Sequence, residues 1–242
     1  MNLIIEQGNS SSKVAVYDHG YILEYLQYKN LKAMDLLPLF SKYELTRGIL
    51  STVLNVDQGL ITFLKNRLLF FIFLDEHIPI PIKIEYKTPA TLGKDRLAAV
   101  VGANYLKPGE DILVIDAGTA ITYDLINAAG VYLGGNISPG MTTRFKALNH
   151  FTSQLPLVEA SAEIPSFGFD TVSAIRAGVV YGIVYEMTGY IEELKRKNPS
   201  LLVFLTGGHS IYFERRLKNS IFADINLVLT GLNRILEYNV EN

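Results

Sequence analysis

Two segments of this chain repeat one pattern of residue types. Residues 3–12 (LIIEQGNSSS) align with residues 113–122 (LVIDAGTAIT), each with three apolar residues, an acidic residue, a glycine and mostly short polar residues. Gly20 and Gly130 extend the match at the same offset. Each copy is typical of a strand, a polar turn, a second strand and a tight turn into a third, which is the start of a β-meander. We therefore predict two duplicated α/β domains, at residues 1–108 and 109–242, that face each other.

Further apolar patterns add strands and helices to each half. In the first half, strands are predicted at Gly48–Val53, Leu69–Leu74 and Ile80–Tyr86, and helices at Asp35–Tyr43, Asp57–Arg67 and Lys94–Leu106. In the second half, apolar residues three or four positions apart predict a long helix that begins at an N-cap, Asp170 or Thr171, and ends before Pro199. A buried strand is predicted next, at Leu201–Leu205.

The charge and the composition exclude several classes of protein. The 242 residues include 22 lysines and arginines against 24 aspartates and glutamates, so the formal net charge is −2. General nucleic-acid binding needs a basic surplus, so we expect no nucleic-acid partner. With 49% hydrophobic residues, the chain is not expected to be disordered. The absence of cysteine excludes disulfides, thiolate nucleophiles and cysteine-ligated zinc, and it suits a cytoplasmic protein.

Membrane and export signals are not predicted. The longest strongly apolar run, Leu68–Leu74, is far shorter than the roughly 20 residues of a spanning helix, and we interpret it as a buried strand. At the N-terminus, Glu6 interrupts the apolar residues before they reach the length of an export signal. We expect a cytoplasmic protein without a membrane partner.

The two polar turns of the repeat are candidate phosphate sites, since the sequence has no P-loop and no GxGxxG motif. Residues 6–13 (EQGNSSSK) could place backbone N–H groups, hydroxyls and Lys13 around phosphate oxygens. Such residues are also common in ordinary hairpins. Residues 116–122 (DAGTAIT) add a carboxylate that could hold a cation beside a phosphate, or that simply faces solvent. A matching pair of turns favours the phosphate interpretation, because phosphoryl transfer needs mainly positioning and charge neutralisation.

A third candidate, Thr88–Arg96 (TPATLGKDR), lies at the start of the helix predicted to close the first half. Asp95 could act as a general base, kept ionised by the helix dipole and Arg96, or it could be an ordinary first-turn charge. Because cysteine is absent and the four histidines lack metal-ligand spacing, a carboxylate is the expected base. Double glycines at Gly134–Gly135 and Gly207–Gly208 would allow close approach of a flat ligand such as adenine, and they also mark plain turns.

The ordered set of motifs resembles the type III pantothenate kinases of the actin/Hsp70/sugar-kinase superfamily. The motifs are GNSSSK, TPATLGKDR, DAGTAITYD, GGNISPG, FDTVSAIRAGVVYG and LTGG, and the resemblance covers nearly the whole chain. It implies an α/β fold of two ribonuclease-H-like domains, each a mixed β-sheet with helices, and an active site in the interdomain cleft. It also implies ATP-dependent phosphorylation of pantothenate, the first step of coenzyme A synthesis. The implied enzyme is a homodimer that uses ATP with Mg²⁺ and a monovalent cation, potassium or ammonium.

The resemblance also assigns roles to residues, motif by motif. It implies that Asp95 accepts a proton and that Asp116 holds the potassium or ammonium ion. The implied ATP contacts are Glu6, Gln7, Gly8, Asn9, Ser10, Ser11, Ser12, Lys13 and Thr119. The implied pantothenate contacts are Tyr86, Gly93, Lys94, Asp95, Arg96 and Thr171, the last reaching the substrate of a partner subunit. The chain departs from the family at Glu6, where aspartate is usual, and at FGFDT, where a small-polar-Asn-Thr run is usual.

Three alternatives remain for the same residues. A non-catalytic nucleotide-binding regulator of this fold is favoured by Glu6, whose longer side chain moves the charge outward, and it would bind nucleotide without turnover. A kinase or phosphatase of the superfamily that acts on another small molecule would prefer that molecule in a substrate screen. A filament protein of the actin type is disfavoured, because a chain of 242 residues has no room for the extra subdomains.

Overall fold

The computed structural model describes residues 1–55 and 57–241, which form two compact units. The first unit contains Met1–Gly109, Ile126–Gly134 and the C-terminal segment from Asn226. The second unit contains Glu110–Leu125 and Gly135–Ile225. The chain first passes between units close to the predicted division at residues 108 and 109, but two later segments return to the first unit.

The first unit is built on a five-stranded sheet with the strand order β3-β2-β1-β4-β5. The strands are β1 (Asn2–Gln7), β2 (Ser12–Asp18), β3 (Tyr21–Tyr28), β4 (Arg47–Thr52) and β5 (Phe70–Phe73). β2 pairs antiparallel with both β1 and β3, which confirms the meander predicted for the first repeat copy. β4 runs parallel to β1 and β5, and it confirms the strand predicted at Gly48–Val53.

β5 differs from the buried strand predicted for Leu68–Leu74 and is also shorter than predicted. It lies at the edge of the sheet, where Leu69 and Phe70 are exposed and Ile72 is buried. The prediction of a fully buried strand was wrong because apolar composition does not show whether a strand is central or at an edge.

The helices of the first unit, within the described residues, are α1 (Leu37–Lys42), α2 (Gln58–Arg67), α3 (Lys94–Leu106) and, from the C-terminal segment, α7 (Leu227–Glu241). A tighter 3₁₀ turn at Ala33–Leu36 precedes α1, so the predicted helix at Asp35–Tyr43 is present in two parts. Asp57 caps α2 by accepting hydrogen bonds from the N–H groups of Gly59 and Leu60. The helices predicted at Asp57–Arg67 and Lys94–Leu106 are confirmed.

α3 packs against α7, which explains why the C-terminal segment belongs to the first unit. A Cβ atom on Gly231 would overlap the carbonyl of Ala98, and one on Gly102 would overlap the carbonyl of Leu227. Glycine at both positions therefore lets the two helix backbones approach closely. Apolar periodicity does not show which sheet a helix will cover. The C-terminal segment was therefore predicted, from its position in the chain, to belong with residues 109–242.

The second repeat copy forms β7 (Ile112–Ala117), β8 (Ala120–Ile126) and β9 (Val131–Pro139), as the pattern predicts. β10 (Leu202–Thr206) and β11 (Phe222–Ala223) extend this sheet in the order β11-β10-β7-β8-β9. β10 runs parallel to both β7 and β11. The strand predicted at Leu201–Leu205 is confirmed, displaced by one residue.

The strand predicted at Ile80–Tyr86 is reduced to β6 (Lys83–Ile84). It pairs in parallel with Val131 and Tyr132 at the start of β9, and these residues all belong to the first unit. The prediction that the whole segment joins the strands of the first half was wrong. Pro81 lacks the N–H group that a strand donates to its neighbour, which shortens the pairing.

The helices of the second unit, within the described residues, are α4 (Met141–Phe151), α5 (Thr171–Lys197) and α6 (Ser210–Glu214). The side chain of Asp170 accepts a hydrogen bond from the N–H of Ser173 at 2.7 Å, so Asp170 is the N-cap of α5. Thr171, the other predicted cap, is the first helical residue. The predicted apolar stripe is buried from Ile175 to Ile191, whereas Val172 is exposed.

No helix in the described part of the chain combines the length and the apolar character needed to cross a membrane.

Candidate active site

The first predicted phosphate turn joins β1 to β2. Glu6 and Lys13 face each other across the antiparallel pair, and the Lys13 ammonium lies 3.4 Å from Glu6 Oε2. The turn itself spans residues 8–11, closed by a hydrogen bond from the Gly8 N–H to the Ser11 carbonyl at 3.0 Å. The strands therefore hold the charged pair at the base of a short polar turn.

Glu6 is almost completely buried, with 8% of the residue exposed. Burial raises the pKa of the Glu6 carboxyl above its ordinary value, and the negative charge of Asp95 adds to the rise. The ion pair and the hydrogen bond with Lys13 lower this pKa but do not cancel the effect of burial. Glu6 and Asp95 are therefore close enough to interact electrostatically, so the phosphate turn and the predicted base share one region of the first unit.

Asp95 lies in the first turn of α3, as the sequence predicts. Its Oδ1 accepts a hydrogen bond from the N–H of Arg96 at 2.8 Å. A Cβ atom on Gly93, the N-cap, would come within 2.6 Å of the same oxygen, so glycine leaves room for the carboxylate to fold over the helix end. The helix N-terminus stabilises a negative charge at this position.

Arg96 is buried, with 5% of the residue exposed, and two tyrosines of the first unit surround its guanidinium group. The guanidinium donates a hydrogen bond to the hydroxyl of Tyr132 at 3.0 Å and lies 6.0 Å from the ring centre of Tyr86. The structure thus brings together Tyr86 and Arg96, which were predicted to contact one substrate. No local signal in the sequence identified Tyr132, because it contributes from β9, far along the chain.

Gly134 of the first double glycine packs against the ring of Tyr86, since a Cβ there would lie 3.7 Å from the ring. Its φ angle of +117° is one that other residues rarely adopt. The flat group beside Gly134 is therefore a protein side chain, and the interpretation of this glycine pair as a surface for adenine stays a prediction.

In the second unit, Asp116 lies near the end of β7, directly beside Thr206 on the parallel strand β10. Gly207 follows with a φ angle of +92°, and a Cβ atom there would overlap the Asp116 carboxylate and the backbone of Ala117. The Thr206 hydroxyl is buried and makes no hydrogen bond to another described residue. The two strand ends thus form a small cradle that contains a carboxylate and an unsatisfied hydroxyl.

This cradle has the chemistry of a hard-cation site. Carboxylate and hydroxyl oxygens are ligands that hard cations prefer, and a buried hydroxyl without a partner gains from such an ion. The part of the chain that the structure describes contains no cluster of three or more histidine, aspartate or glutamate side chains suited to a metal ion. The residues present therefore fit an ion with few protein ligands, and they do not fit an all-protein zinc or calcium cage.

The Gly118–Thr119 turn between β7 and β8 carries the predicted second phosphate contact. The carbonyl of Thr119 accepts hydrogen bonds from the N–H of Gly140 at 3.0 Å and from the hydroxyl of Thr143 at 2.7 Å. A Cβ atom on Gly140 would overlap the carbonyls of both turn residues. The start of α4 therefore fixes this turn from one side, while the Thr119 residue remains exposed.

His209 follows the second double glycine and is half-buried. Burial lowers the pKa of its imidazole, although hydrogen bonds with the backbone of Ala117 and Gly118 act in the opposite direction. Its backbone N–H donates to the Ala117 carbonyl at 3.0 Å, so this residue links the ends of β10 and β7. The sequence predicted no role for this histidine.

Thr171 is exposed at the first position of α5, and its side chain makes no hydrogen bond to another described residue. The neighbouring Asp170 is engaged in capping α5.

Comparison with known proteins identifies related sequences along the whole chain. The family model of type III pantothenate kinase matches residues 2–193. A type III pantothenate kinase from Phocaeicola vulgatus is 53% identical over 240 residues, which make up 99% of each chain.

Solved structures share the fold. The crystal structure of a proposed Baf family transcriptional activator from Campylobacter jejuni has 25% identity and a TM-score of 0.61, and the match covers 99% of this chain and 100% of that chain. A proposed 2-dehydro-3-deoxygalactonokinase from Sinorhizobium meliloti has 13% identity and a TM-score of 0.62 over 99% of both chains. This second likeness shows the fold alone, an α/β fold of two ribonuclease-H-like domains. Because the family model covers most of the sequence and a relative is 53% identical over nearly all of it, the chain belongs to the type III pantothenate kinase family.

Proposed function

We propose that this chain transfers the γ-phosphoryl group of ATP to the primary hydroxyl of pantothenate. The product is 4'-phosphopantothenate, and the reaction is the first step of coenzyme A biosynthesis. Family membership supports this reaction. The observation that carries the assignment of the site is the electrostatic neighbourhood of Glu6, Lys13 and Asp95, which joins a phosphate turn to a carboxylate base.

In the proposed mechanism, Asp95 accepts the proton of the pantothenate hydroxyl as its oxygen attacks the γ-phosphorus in line. The carboxylate accepts a hydrogen bond from the N–H of Arg96 at 2.8 Å and lies at the N-terminus of α3, where the helix dipole favours a negative group. Because Asp95 is fixed to a helix, its acceptor oxygen has a defined position relative to the substrate.

The two polar turns hold the phosphates of ATP. In the first unit, the turn at residues 8–11 offers backbone N–H groups, the side-chain amide of Asn9 and the hydroxyls of Ser10 and Ser11, and Lys13 adds positive charge. Gln7 and Ser12 flank this turn on β1 and β2. In the second unit, Thr119 supplies the corresponding contact. These groups stabilise charge that develops on the phosphoryl oxygens during transfer.

Two kinds of cation fit the residues present. Magnesium usually binds through one or two carboxylates together with substrate phosphates, and Glu6 is the residue that would hold it, since a cation offsets the cost of burying its charge. Potassium or ammonium would be held by Asp116 in the cradle with Thr206 and Gly207. When bound, such cations neutralise phosphate charge.

Pantothenate carries a carboxylate, and Arg96 is its proposed partner. The guanidinium group is oriented by the Tyr132 hydroxyl and the Tyr86 ring, so it is already in place before the substrate binds. Gly93 and Lys94, at the start of α3, complete the proposed contacts on this side.

A second copy of the chain is proposed to complete the site through Thr171, which is exposed and makes no hydrogen bond to another described residue. We place the homodimer interface along the exposed side of α5, which carries Val172, Gly178 and Tyr185. The cysteine-free sequence agrees with a cytoplasmic enzyme.

An assay of ADP release tests this proposal. The protein is supplied with ATP, Mg²⁺ and potassium, with and without pantothenate, and sodium then replaces potassium. We expect ADP release to depend on pantothenate and to fall when sodium replaces potassium. Release that is independent of pantothenate would refute the choice of substrate.

A nucleotide-binding regulator is the second candidate function. It is favoured by the ion pair of the buried Glu6 with Lys13, which already satisfies charges that a kinase would use for ATP, and by the likeness to the proposed transcriptional activator. Calorimetric binding of ADP together with the turnover assay separates the two functions, because a regulator would bind the nucleotide and show no turnover with pantothenate, whereas a kinase would do both.

A further inference from the structure

A charged network inside the second unit lies outside the groups assigned to substrates. The carboxylate of Glu186, in the middle of α5, accepts hydrogen bonds from the hydroxyl of Tyr123 at 2.8 Å and from the guanidinium of Arg144 at 2.5 Å. Tyr123 is buried, and the side chains of Arg144 and Glu186 are only 21% and 25% exposed. Three elements, β8, α4 and α5, therefore meet at one ion pair.

Arg144 also binds the segment that precedes its own helix. Its Nε donates to the carbonyl of Pro139 at 2.8 Å, and the nitrogen that binds Glu186 also donates to the hydroxyl of Ser138 at 2.8 Å. One planar guanidinium thus joins Glu186 to the last residues of β9. A lysine carries its three donors on one nitrogen and lacks the fork of the guanidinium, so it would not make the Pro139 bond together with the Glu186 pair.

The segment held by Arg144 in turn fixes the Gly118–Thr119 turn. Gly140, directly after Pro139, donates its N–H to the Thr119 carbonyl and lies so close to the turn that a Cβ atom would overlap it. A shift of Pro139 by a fraction of an ångström would therefore move the turn, since two backbones in direct contact cannot move independently.

The charge of Glu186 is suited to hold this arrangement. Burial raises the pKa of its carboxyl, but the hydrogen bonds from Arg144, Tyr123 and Ser138 outweigh burial and keep the pKa below its ordinary value. The carboxylate is therefore ionised at neutral pH and fully engaged. Forming a half-buried pair of this kind adds little net stability, because the cost of burying the charges offsets their attraction, so its effect is expected in local geometry.

We propose that Glu186, acting through Arg144, is a positioning residue that holds the Gly118–Thr119 turn in the geometry that binds nucleotide. The proposal rests on the proposed function only in taking Thr119 as an ATP contact.

The variant Glu186→Gln tests the proposal, because it keeps the shape of the side chain and an acceptor for Tyr123 while it removes the charge that holds Arg144. We expect the affinity for ADP, measured by titration calorimetry without pantothenate, to fall roughly tenfold, because a displacement of about 1 Å can cost up to about 100-fold. In turnover, the KM for ATP should rise by a similar factor while the KM for pantothenate stays unchanged.

Glu193→Gln is a matched control on the same helix. Glu193 pairs with Lys197 at 3.0 Å, and both side chains are more than half exposed. The same chemical change there should alter neither ADP affinity nor either KM. Unchanged ADP affinity in Glu186→Gln, or equal rises in both KM values, would overturn the proposal.

Two milder variants keep the test decisive if Glu186→Gln folds poorly. Arg144→Lys keeps the charge but loses the bridging geometry, and Tyr123→Phe removes one hydroxyl. Both variants should weaken ADP binding while the melting temperature stays close to that of the wild type. Loss of melting temperature with unchanged ADP affinity in both variants would contradict a positioning role. If the wild-type protein binds ADP but does not phosphorylate pantothenate, the proposed function is refuted, and the comparison of ADP affinities between the variants still tests the role of Glu186. If the wild-type protein does not bind ADP, both the proposed function and the role of Glu186 are overturned.

Discussion

The Glu6–Lys13 pair supports a quantitative prediction for the variant Lys13→Met. The two charged atoms are 3.4 Å apart, and the side chains are only 18% and 11% exposed. Methionine retains most of the apolar stem and removes the ammonium group. The substitution therefore leaves the Glu6 carboxylate buried without its partner.

The cost can be estimated in two steps. At an effective dielectric constant of about 20, unit charges at this distance attract each other by about 5 kcal/mol. The carboxyl can instead take up a proton, which for an ordinary glutamate pKa of about 4.3 costs about 3.7 kcal/mol at pH 7 and about 1 kcal/mol at pH 5. Protonating the Glu6 carboxyl costs less free energy than keeping it charged without Lys13. The cost of protonation therefore sets the upper limit of destabilisation at each pH.

The pH dependence has a definite sign. The pKa of Glu6 is already raised in the folded protein, and it rises further when Lys13 is removed. The folded state then binds a proton more readily than the unfolded chain, so stability falls as the pH rises from about 4.3 towards the raised pKa. We expect the variant to lose about 2–4 kcal/mol at pH 7 and about 1 kcal/mol or less at pH 5.

Urea denaturation at pH 5 and pH 7 measures this difference. The control is Lys42→Met, because Lys42 pairs with Glu24 at 2.6 Å but is 61% exposed, and its loss should have a small effect at either pH. Adding Glu6→Gln to Lys13→Met should recover most of the loss at pH 7. Equal destabilisation at both pH values, or none at pH 7, would refute the reasoning.

Two further predictions concern glycines. Gly207→Ala places a methyl group in the left-handed region, at a cost of roughly 1–2 kcal/mol, and against the Asp116 carboxylate, so the potassium concentration for half-maximal activity should rise by roughly tenfold. Gly231→Ala forces α7 away from the Ala98 carbonyl, and we expect a loss of about 1–3 kcal/mol in urea denaturation despite the better helix propensity of alanine. The controls are Gly208→Ala for the first and Gly189→Ala for the second, because a Cβ atom at either control position meets no other atom within 4 Å. An unchanged potassium response in Gly207→Ala would contradict the proposed cation cradle, and a stability gain in Gly231→Ala would contradict the close helix contact.

The repeat in the sequence predicted the main strands because each copy carries its own turn chemistry. Gly20 and Gly130 both have positive φ angles and lie in the turns between the second and third strands, as the aligned glycines indicate. Strands β1 to β3 and β7 to β9 follow from the repeated pattern of apolar and polar residues and from these turns. The N-cap of α5 was also readable, since a short polar side chain precedes an apolar stripe.

What the sequence did not show depends on contacts between distant segments. The packing of α7 on α3 requires two glycines more than 100 residues apart, Gly102 and Gly231. The burial of Arg96 depends on Tyr132, which arrives from β9. Hydrophobic periodicity does not predict contacts between distant segments, because it shows which face of an element is buried and not what covers that face.

The geometry of the candidate site was predictable where one motif contains both the functional residue and the neighbour that makes room for it. Asp95 and its N-cap Gly93 lie in one motif, and the structure shows the glycine making room for the carboxylate. The ion pair of Glu6 with Lys13 was not predicted, although both residues were assigned to the phosphate turn. A pairing across two strands depends on register, which the turn length sets only after the strands are known.

The most direct test of the central claim is the product formed from ATP and pantothenate, identified by mass spectrometry with wild-type protein and with Asp95→Asn. We predict that the wild type converts pantothenate to a singly phosphorylated product. We also predict that Asp95→Asn binds ADP as well as the wild type but turns over about 100- to 10,000-fold more slowly, because a general base usually contributes a factor of this size. Full turnover by Asp95→Asn, or no phosphorylated pantothenate from the wild type, would contradict the account.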